Sequence, residues 1–327
     1  MGQGRTPPRS PGCDRPPRSR PDGGRRPGSP PDRDRPPKPP PLRRYGQNHL
    51  VDANVLAAIL RQAAVRTDDV VLEVGAADGL LTRPLLEQAR LVHAFEVDRR
   101  FAGRLERLAA DAPGLRLHLG DALRTRLDEL DPTPTALVAN LPYNIAIPLV
   151  MTTVAGLPSV RRWAVMLQKE LGERLFASPG TKAYAAVSVL TQLACEPEHV
   201  RPVARSAFRP RPRVDSVFVT FTRRVPGDDG SWRVGTEPLD PEGYGAMDRL
   251  VRLAFSQRRK QLGTSLAGAA VGAGAETSRT DVARPLSRAD VARALEVAGA
   301  SPMARPEELT PEQWLAFARA LGRLAAA

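Results

Sequence analysis

The tetrapeptide Asn140-Leu141-Pro142-Tyr143 follows the apolar run Ala136-Leu137-Val138-Ala139, at the point where a buried strand would end. An asparagine amide, a projecting main-chain carbonyl and an aromatic ring can together grip a planar base that carries an amino group. Pro142 biases Leu141 toward an extended conformation, which keeps the Leu141 carbonyl out of a helical hydrogen bond. Tyr143 adds a face on which a base can stack. A strand end followed by a turn would use the same four residues, so the tetrapeptide decides nothing until the segments around it are read.

Apolar runs that read as buried strands alternate with segments of helical period. Asp69-Val70-Val71-Leu72-Glu73-Val74-Gly75 ends in an acidic residue and a glycine, Leu91 to Phe95 runs into Glu96, Leu115 to Leu119 runs into Gly120-Asp121, and the fourth run ends at Asn140. Helices are expected from Asp52 to Ala64, with Asp52 as cap, from Thr82 to Gln88 and from Phe101 to Ala110. Such alternation predicts crossover units, a parallel sheet and an α/β fold. Ligands of open parallel sheets bind at the carboxyl ends of the strands, so Glu73, Gly75, Glu96, Asp121 and Asn140 should line one edge in succession. Gly75 would let a ligand approach the backbone, and an acidic residue after the second strand suits ribose hydroxyls. The turn Gly75-Ala76-Ala77-Asp78-Gly79 lacks the Gly-x-Gly-x-x-Gly spacing that admits a pyrophosphate. That argues against a nicotinamide dinucleotide and for a ligand without phosphate, of which S-adenosylmethionine is one.

With 327 residues the chain can bury a sizeable core without disulfide or metal staples. Its two cysteines, Cys13 and Cys195, make no ligand cluster, so no metal site is expected, and they fit a reducing compartment. No apolar run reaches membrane-spanning length and the N-terminus has no signal-peptide core, so a cytoplasmic protein without membrane contact is expected. Of the net charge of +12, residues 1–44 contribute +8, from twelve Lys/Arg and four Asp. This stretch holds 14 of the 33 prolines and almost no large apolar residues, a composition that predicts a disordered tail. RNA phosphates would attract it, although a merely solvating tail has the same composition.

Residues 225–243, rich in Gly, Asp and Pro, read as an interdomain linker. Beyond them helices are expected at Met247 to Leu262, Leu286 to Ala298 and Pro311 to Leu324, with a loop from Ala267 to Ala275. Ser287 with Asp290, and Thr310 with Gln313, have the spacing of capped helix starts. Arg258-Arg259-Lys260 is either a solvated helix face or an RNA phosphate contact, and beside a base-modifying site the second is expected. The organisation so read is a tail at 1–44, an α/β domain at 45–224, the linker, and a helical RNA-binding domain at 244–327.

Gly46-Gln47-Asn48-His49-Leu50, Glu73-Val74-Gly75, Asn140-Leu141-Pro142-Tyr143-Asn144-Ile145, Leu167-Gln168-Lys169-Glu170, Lys182-Ala183-Tyr184 and the segment Ala207-Phe208 to Asp215-Ser216 are co-linear with the motifs of one family. From Tyr45 to the C-terminus the chain resembles the rRNA adenine dimethyltransferases. Pro179 to Tyr184 and Gln257 to Lys260 look closer to the small-subunit branch than to the Erm branch. The resemblance implies a Rossmann-like S-adenosylmethionine-dependent methyltransferase domain with a smaller C-terminal helical domain. It implies cofactor contacts from Asn48, Leu50, Gly75, Glu96, Asp121 and Asn140, with Glu96 on the ribose hydroxyls and Asp121 on the adenine amino group. It also implies catalysis by Asn140 and Leu141, with Tyr143 and Phe208 sandwiching the target base. The implied substrate is a pair of adjacent adenosines in the 3′-terminal hairpin of 16S rRNA in a 30S precursor, and the implied enzyme is a monomer. At two positions the chain departs from the family, which commonly has phenylalanine at His49 and glycine at Ala77. An Erm-type 23S rRNA enzyme giving macrolide resistance, and a ribosome-assembly factor with weak turnover, remain as alternatives.

Overall fold

The chain enters the described structure, residues 48–269 and 285–326 of a computed structural model, on a two-residue strand β1 (His49–Leu50). Asp52 then caps α1 (Ala53–Ala63), its carboxylate accepting from the N–H groups of Asn54 and Val55 at 2.9 and 3.1 Å. Those bonds satisfy two of the donors that the first helical turn leaves unpaired. The expected alternation follows, in the order β2 (Val70–Val74), α2 (Thr82–Leu86), β3 (Leu91–Glu96), α3 (Ala102–Asp111), β4 (Leu115–Leu119), β5 (Ala136–Asn140), α4 (Ala146–Gly156) and β6 (Arg162–Gln168). Next come α5 (Lys169–Leu175), α6 (Ala186–Ala194), β7 (Cys195–Val203), β8 (Phe208–Arg209) and β9 (Ser216–Arg223).

Seven strands form one sheet in the order β4-β3-β2-β5-β6-β9-β7, parallel from β4 to β6, with β9 antiparallel to both of its neighbours. This is the α/β, Rossmann-like architecture that the alternating pattern predicts. The central strands β2, β3 and β5 are almost entirely buried, as strands covered on both faces must be. Successive side chains point to opposite faces, so Leu72 and Leu137 feed one hydrophobic cluster while Val71 and Val138 feed another. β2 sits between β3 and β5, and from it the strand order runs outward in both directions. A crevice therefore opens at the carboxyl ends of β2 and β5, the topological switch point.

Residues 225–243, expected as an interdomain linker, contain regular structure. β10 (Trp232–Val234) and β11 (Glu237–Leu239) pair as an antiparallel hairpin, and Trp232 is buried, its Nε1–H donating to the Leu193 carbonyl at 2.7 Å. Gly, Asp and Pro serve tight hairpin turns as well as linkers, and Gly235 takes a left-handed φ of 60° between the two strands. The remaining helices are α7 (Pro241–Ser256), α8 (Leu262–Ser265), α9 (Arg288–Val297) and α10 (Pro311–Ala326). α7 begins upstream of the expected Met247 because Asp240 caps it and Pro241 occupies its first turn. Both expected cap pairs form, Ser287 with Asp290 and Thr310 with Gln313. Leu295 of α9 and Trp314 of α10 belong to the same core cluster as Leu137 of the sheet, so the helical part packs onto the α/β part.

The tail at 1–44 and residues 270–275 of the expected loop lie outside the described residues. Among the described residues no helix is long and apolar enough to cross a membrane, and no cluster of His, Cys, Asp and Glu could hold a metal ion.

Candidate active site

The carboxyl ends of β2, β3, β4 and β5 meet in one cavity. Gly75, Glu96, Asp121, Asn140, Leu141 and Tyr143 line it from the sheet, while Asn48 and Leu50 line it from the strap that carries β1. All six residues expected to touch a cofactor thus face one space, and the tetrapeptide expected to act in catalysis borders it.

Each strand end owes its place to a short-range tie. Gly75 adopts φ 87°, a region that side chains disfavour, and a Cβ there would come within 3.4 Å of the Pro142 ring. Glycine therefore lets β2 end directly against the tetrapeptide. Glu96 is held at both oxygens, Oε2 accepting from Ala77 N–H and Oε1 from Asp98 N–H, each at 2.8 Å. Burial pushes the Glu96 carboxyl above its ordinary pKa, and those two N–H donors oppose the shift. Ala77 makes its bond from a left-handed φ of 50°, which explains why glycine is the easier residue at that position. Asp121 caps the turn that follows β4, accepting from Leu123 N–H at 3.0 Å through Oδ1. A rigid acceptor pair at one strand end suits a ribose diol, and a second acceptor one strand further suits an adenine amino group. This set of acceptors fits S-adenosylmethionine.

The tetrapeptide is fixed from two sides. Asn140 Nδ2–H donates to the Asn48 carbonyl at 3.0 Å, which leaves Oδ1 as the acceptor without a partner among the described groups. The turn that follows uses the Pro142 carbonyl, which accepts from Ile145 N–H at 3.1 Å, and so bypasses the Leu141 carbonyl. The Leu141 side chain is buried in the core and anchors that backbone. Tyr143 bonds its hydroxyl to Ser216 Oγ at 2.7 Å, and burial pushes its pKa up. The phenol is therefore a neutral anchor for a half-buried ring.

Residues 42–297 match the family model described as ribosomal RNA adenine dimethylase. The chain belongs to the ribosomal RNA adenine dimethylase family. It is 39% identical over 277 residues to the ribosomal RNA small subunit methyltransferase A of Rubrobacter xylanophilus, covering 85% of this chain and 94% of that protein. Over 283 residues it is 40% identical to the protein of the same name from Streptomyces coelicolor, covering 84% of this chain and 89% of that protein. The crystal structure of the 23S rRNA methyltransferase ErmE superposes with a TM-score of 0.59 at 28% identity, covering 84% of this chain and 99% of that one.

This dimethylase differs from its sequence reading at two places. Phe208 is fully buried and does not line the cavity, so its ring shows no open face toward Tyr143 in this ligand-free structure. Its neighbouring prolines and arginines suggested a ligand-facing loop, but β8 pairs with β1, Phe208 opposite Leu50, and turns the ring into the core. Arg258 is tied into the fold, since Nη2 donates to the carbonyls of Thr181 and Lys182 at 3.3 and 3.1 Å and Nε lies 3.8 Å from the Glu307 carboxylate. Arg259 and Lys260 stay exposed. His49 is buried edge-on to Phe101 with ring centroids 5.7 Å apart, so it fills an aromatic place as the family's phenylalanine would.

The sequence placed Glu73 on the ligand-lining edge without a chemical task, and it assigned none to the two histidines behind the cavity. Glu73 lines the cavity floor almost without exposure, and burial pushes its carboxyl up to about 8. The Thr82 hydroxyl opposes that shift and the Glu96 carboxyl adds to it, yet neither Glu73 Oε2 nor Thr82 Oγ1 has a hydrogen-bond partner of normal geometry. Phe95, also in the lining, stacks on His118 with centroids 4.4 Å apart. His118 Nε2 lies 3.0 Å from His93 Nδ1, and His93 Nε2–H donates to the Pro132 carbonyl at 2.8 Å. Burial holds both imidazoles below their ordinary pKa, hence neutral. Histidines on neighbouring strands were visible in the sequence, but their register was not.

Proposed function

We propose that this chain dimethylates the exocyclic amines of two adjacent adenosines in the 3′-terminal hairpin of 16S rRNA, acting on a 30S precursor as a cytoplasmic monomer that uses S-adenosylmethionine. The observation that carries this reading is the bond from Asn140 Nδ2–H to the Asn48 carbonyl, which favours Oδ1 as the end of the amide that would accept from a substrate. Relatives near 40% identity over more than four fifths of the chain, named for the small subunit, support the 30S particle over the 50S.

The adenine amine delocalises its lone pair into the ring and is a poor nucleophile. Asn140 Oδ1 and the Leu141 carbonyl would accept its two hydrogens and favour a tetrahedral nitrogen whose lone pair is free to react. S-adenosylmethionine, when bound, supplies a methyl group on a sulfonium centre, with Glu96 and Asp121 holding the nucleoside end. The target base must leave its stack at a cost of a few kcal/mol, least in a loop. Stacking on Tyr143 offsets roughly 1–3 kcal/mol of that cost. Catalysis is then orientation by preorganised dipoles. Arg259 and Lys260, in the helical part at 244–327, contribute phosphate contacts, and the +8 tail adds salt-sensitive attraction.

Methyl transfer to 30S and 50S particles that lack these modifications, with the products mapped, tests the reading. Dimethyladenosine at two neighbouring positions of the 16S 3′ hairpin is expected. Rejection of 30S particles with modification of 23S rRNA would replace it by the Erm-type activity, and no transfer to either particle by an assembly factor.

A further inference from the structure

We propose that Arg209, Arg211 and Arg213 form a phosphate-binding edge beside Tyr143, which holds the single-stranded RNA backbone that flanks the base to be methylated. The proposal rests on the functional reading above for the identity of the RNA, and on charge and placement alone for the class of ligand. Three cations fall within five residues, and all three are exposed. Arg205, just before them, is neutralised by Asp215, just after them, its Nε–H donating to Oδ1 at 2.6 Å. Among the described residues no acidic side chain pairs with Arg209, Arg211 or Arg213 in the same way. Arg209 Nη1–H reaches the Phe208 carbonyl at 3.2 Å, and a neutral carbonyl leaves the charge uncompensated. An isolated exposed arginine is ordinary; three uncompensated ones in one short segment repel one another and attract an anion.

Both ends of the segment are fixed at the tetrapeptide. Arg209 stands opposite His49 in the β8–β1 pair, and the preceding Asn48 supplies the carbonyl that accepts from Asn140 Nδ2–H. At the other end the Asp215 carbonyl accepts from Lys169 N–H at 2.8 Å, and the Ser216 hydroxyl lies 2.7 Å from the Tyr143 hydroxyl. The arginines therefore run along the margin of Asn140-Leu141-Pro142-Tyr143. Arg209 and Arg211 each precede a proline, which biases both to extended backbone. Such a chain displays its side chains with little further loss of backbone freedom. From Arg209 to Arg213 it spans at most about 14 Å, so the edge meets one short stretch of nucleic-acid backbone and not a whole hairpin. That stretch is the one beside the reacting base. A base extruded toward Asn140 carries its sugar and phosphates out of the helical path, and contacts to the flanking phosphates fix its register without reading sequence.

The test compares the full chain with two triple variants, Arg209→Gln/Arg211→Gln/Arg213→Gln and Arg209→Lys/Arg211→Lys/Arg213→Lys. Affinity for 30S particles is measured across a salt series, S-adenosylhomocysteine affinity by calorimetry, and KM and kcat for methyl transfer at saturating cofactor. Three phosphate contacts to a single strand account for about 2 in the slope of log affinity against log salt. The glutamine variant should lose that much slope and show a KM raised by about tenfold, with the loss falling on KM rather than on kcat. Its cofactor affinity should match that of the wild type, because none of the three arginines lines the cavity. The lysine variant keeps the charges and should keep the slope. Wild-type slope and KM in the glutamine variant would show that the arginines are merely solvated and would overturn the proposal, as would a lysine variant that loses the slope as fully as glutamine does. If the wild type fails to methylate 30S particles, the functional reading falls instead. The edge is then judged on binding to single-stranded oligoadenylate, where equal salt slopes in the wild type and the glutamine variant overturn it.

Discussion

The strand ends that carry Gly75, Glu96 and Asp121 and the strap that carries Asn48 and Leu50 line the same cavity but are held in different ways. Each strand end is set by its register in a buried parallel sheet and finished by a bond to a near neighbour, as from Asp98 N–H to Glu96 or from Leu123 N–H to Asp121. The strap reaches further along the chain for its partners. It is held by the Asn140 amide 92 residues away and by the segment around Ala207 and Phe208. The strand-end part of the cavity is therefore a property of the sheet, whereas the strap part depends on segments that lie far apart in the chain.

Substitutions on the sheet side test whether it is as self-contained as this contrast requires. The largest effect is expected at Glu73, whose folded pKa of about 8 lies above its ordinary 4.5. The native state keeps a proton that the unfolded chain releases, so the stability tied to this proton is fully present below pH 4.5 and is lost as pH rises to 8. The expected loss is at most about 1.4 kcal/mol per pH unit in that window. Glu73→Gln, neutral throughout, should remove that slope from urea midpoints measured across the window. The same slope in both proteins would mean that the cavity floor is solvated and Glu73 ionised.

A smaller effect is expected at Glu96. Glu96→Ala should weaken cofactor binding by about 1–3 kcal/mol, the scale of a lost buried hydrogen-bond partner. RNA binding should hold, because phosphate contacts elsewhere supply most of it. Unchanged calorimetric affinity would remove Glu96 from the site and break the strand-end half of the comparison.

The smallest is at Ala77. Ala77→Gly relieves a left-handed alanine, worth roughly 1–2 kcal/mol, against the roughly 0.4–1 kcal/mol of added chain entropy in the unfolded state. A net gain of about 0.5–1 kcal/mol should appear in thermal unfolding, with the bond from residue 77 to Glu96 retained. A loss of stability would show that the turn is not strained.

What could be read from the sequence follows the same division. The strand-end residues were legible because a parallel sheet converts four apolar runs into one ordered edge, and the caps at Asp52 and Ser287 were legible because their bonds span two or three residues. The burial of Phe208, the engagement of Arg258 and the hairpin at Trp232 were not. In each case a long-range partner decides, namely Leu50, the carbonyls of Thr181 and Lys182, and the Leu193 carbonyl. Local composition next to these residues suits a loop, a charged face and a linker equally well. The bond from Tyr143 to Ser216 spans 73 residues, and no spacing rule announces it.

The central claim is that Asn140, held by the strap, aligns the target amine. It is tested most directly by the rate of methyl transfer in Asn140→Ala at saturating cofactor and RNA, with cofactor affinity measured in the same protein. The account predicts a fall of about 10²–10³-fold, the scale of losing one preorganised hydrogen bond in a transition state, with RNA affinity nearly unchanged. A saturated rate close to that of the wild type would contradict it and reduce Asn140-Leu141-Pro142-Tyr143 to the end of a strand and its turn.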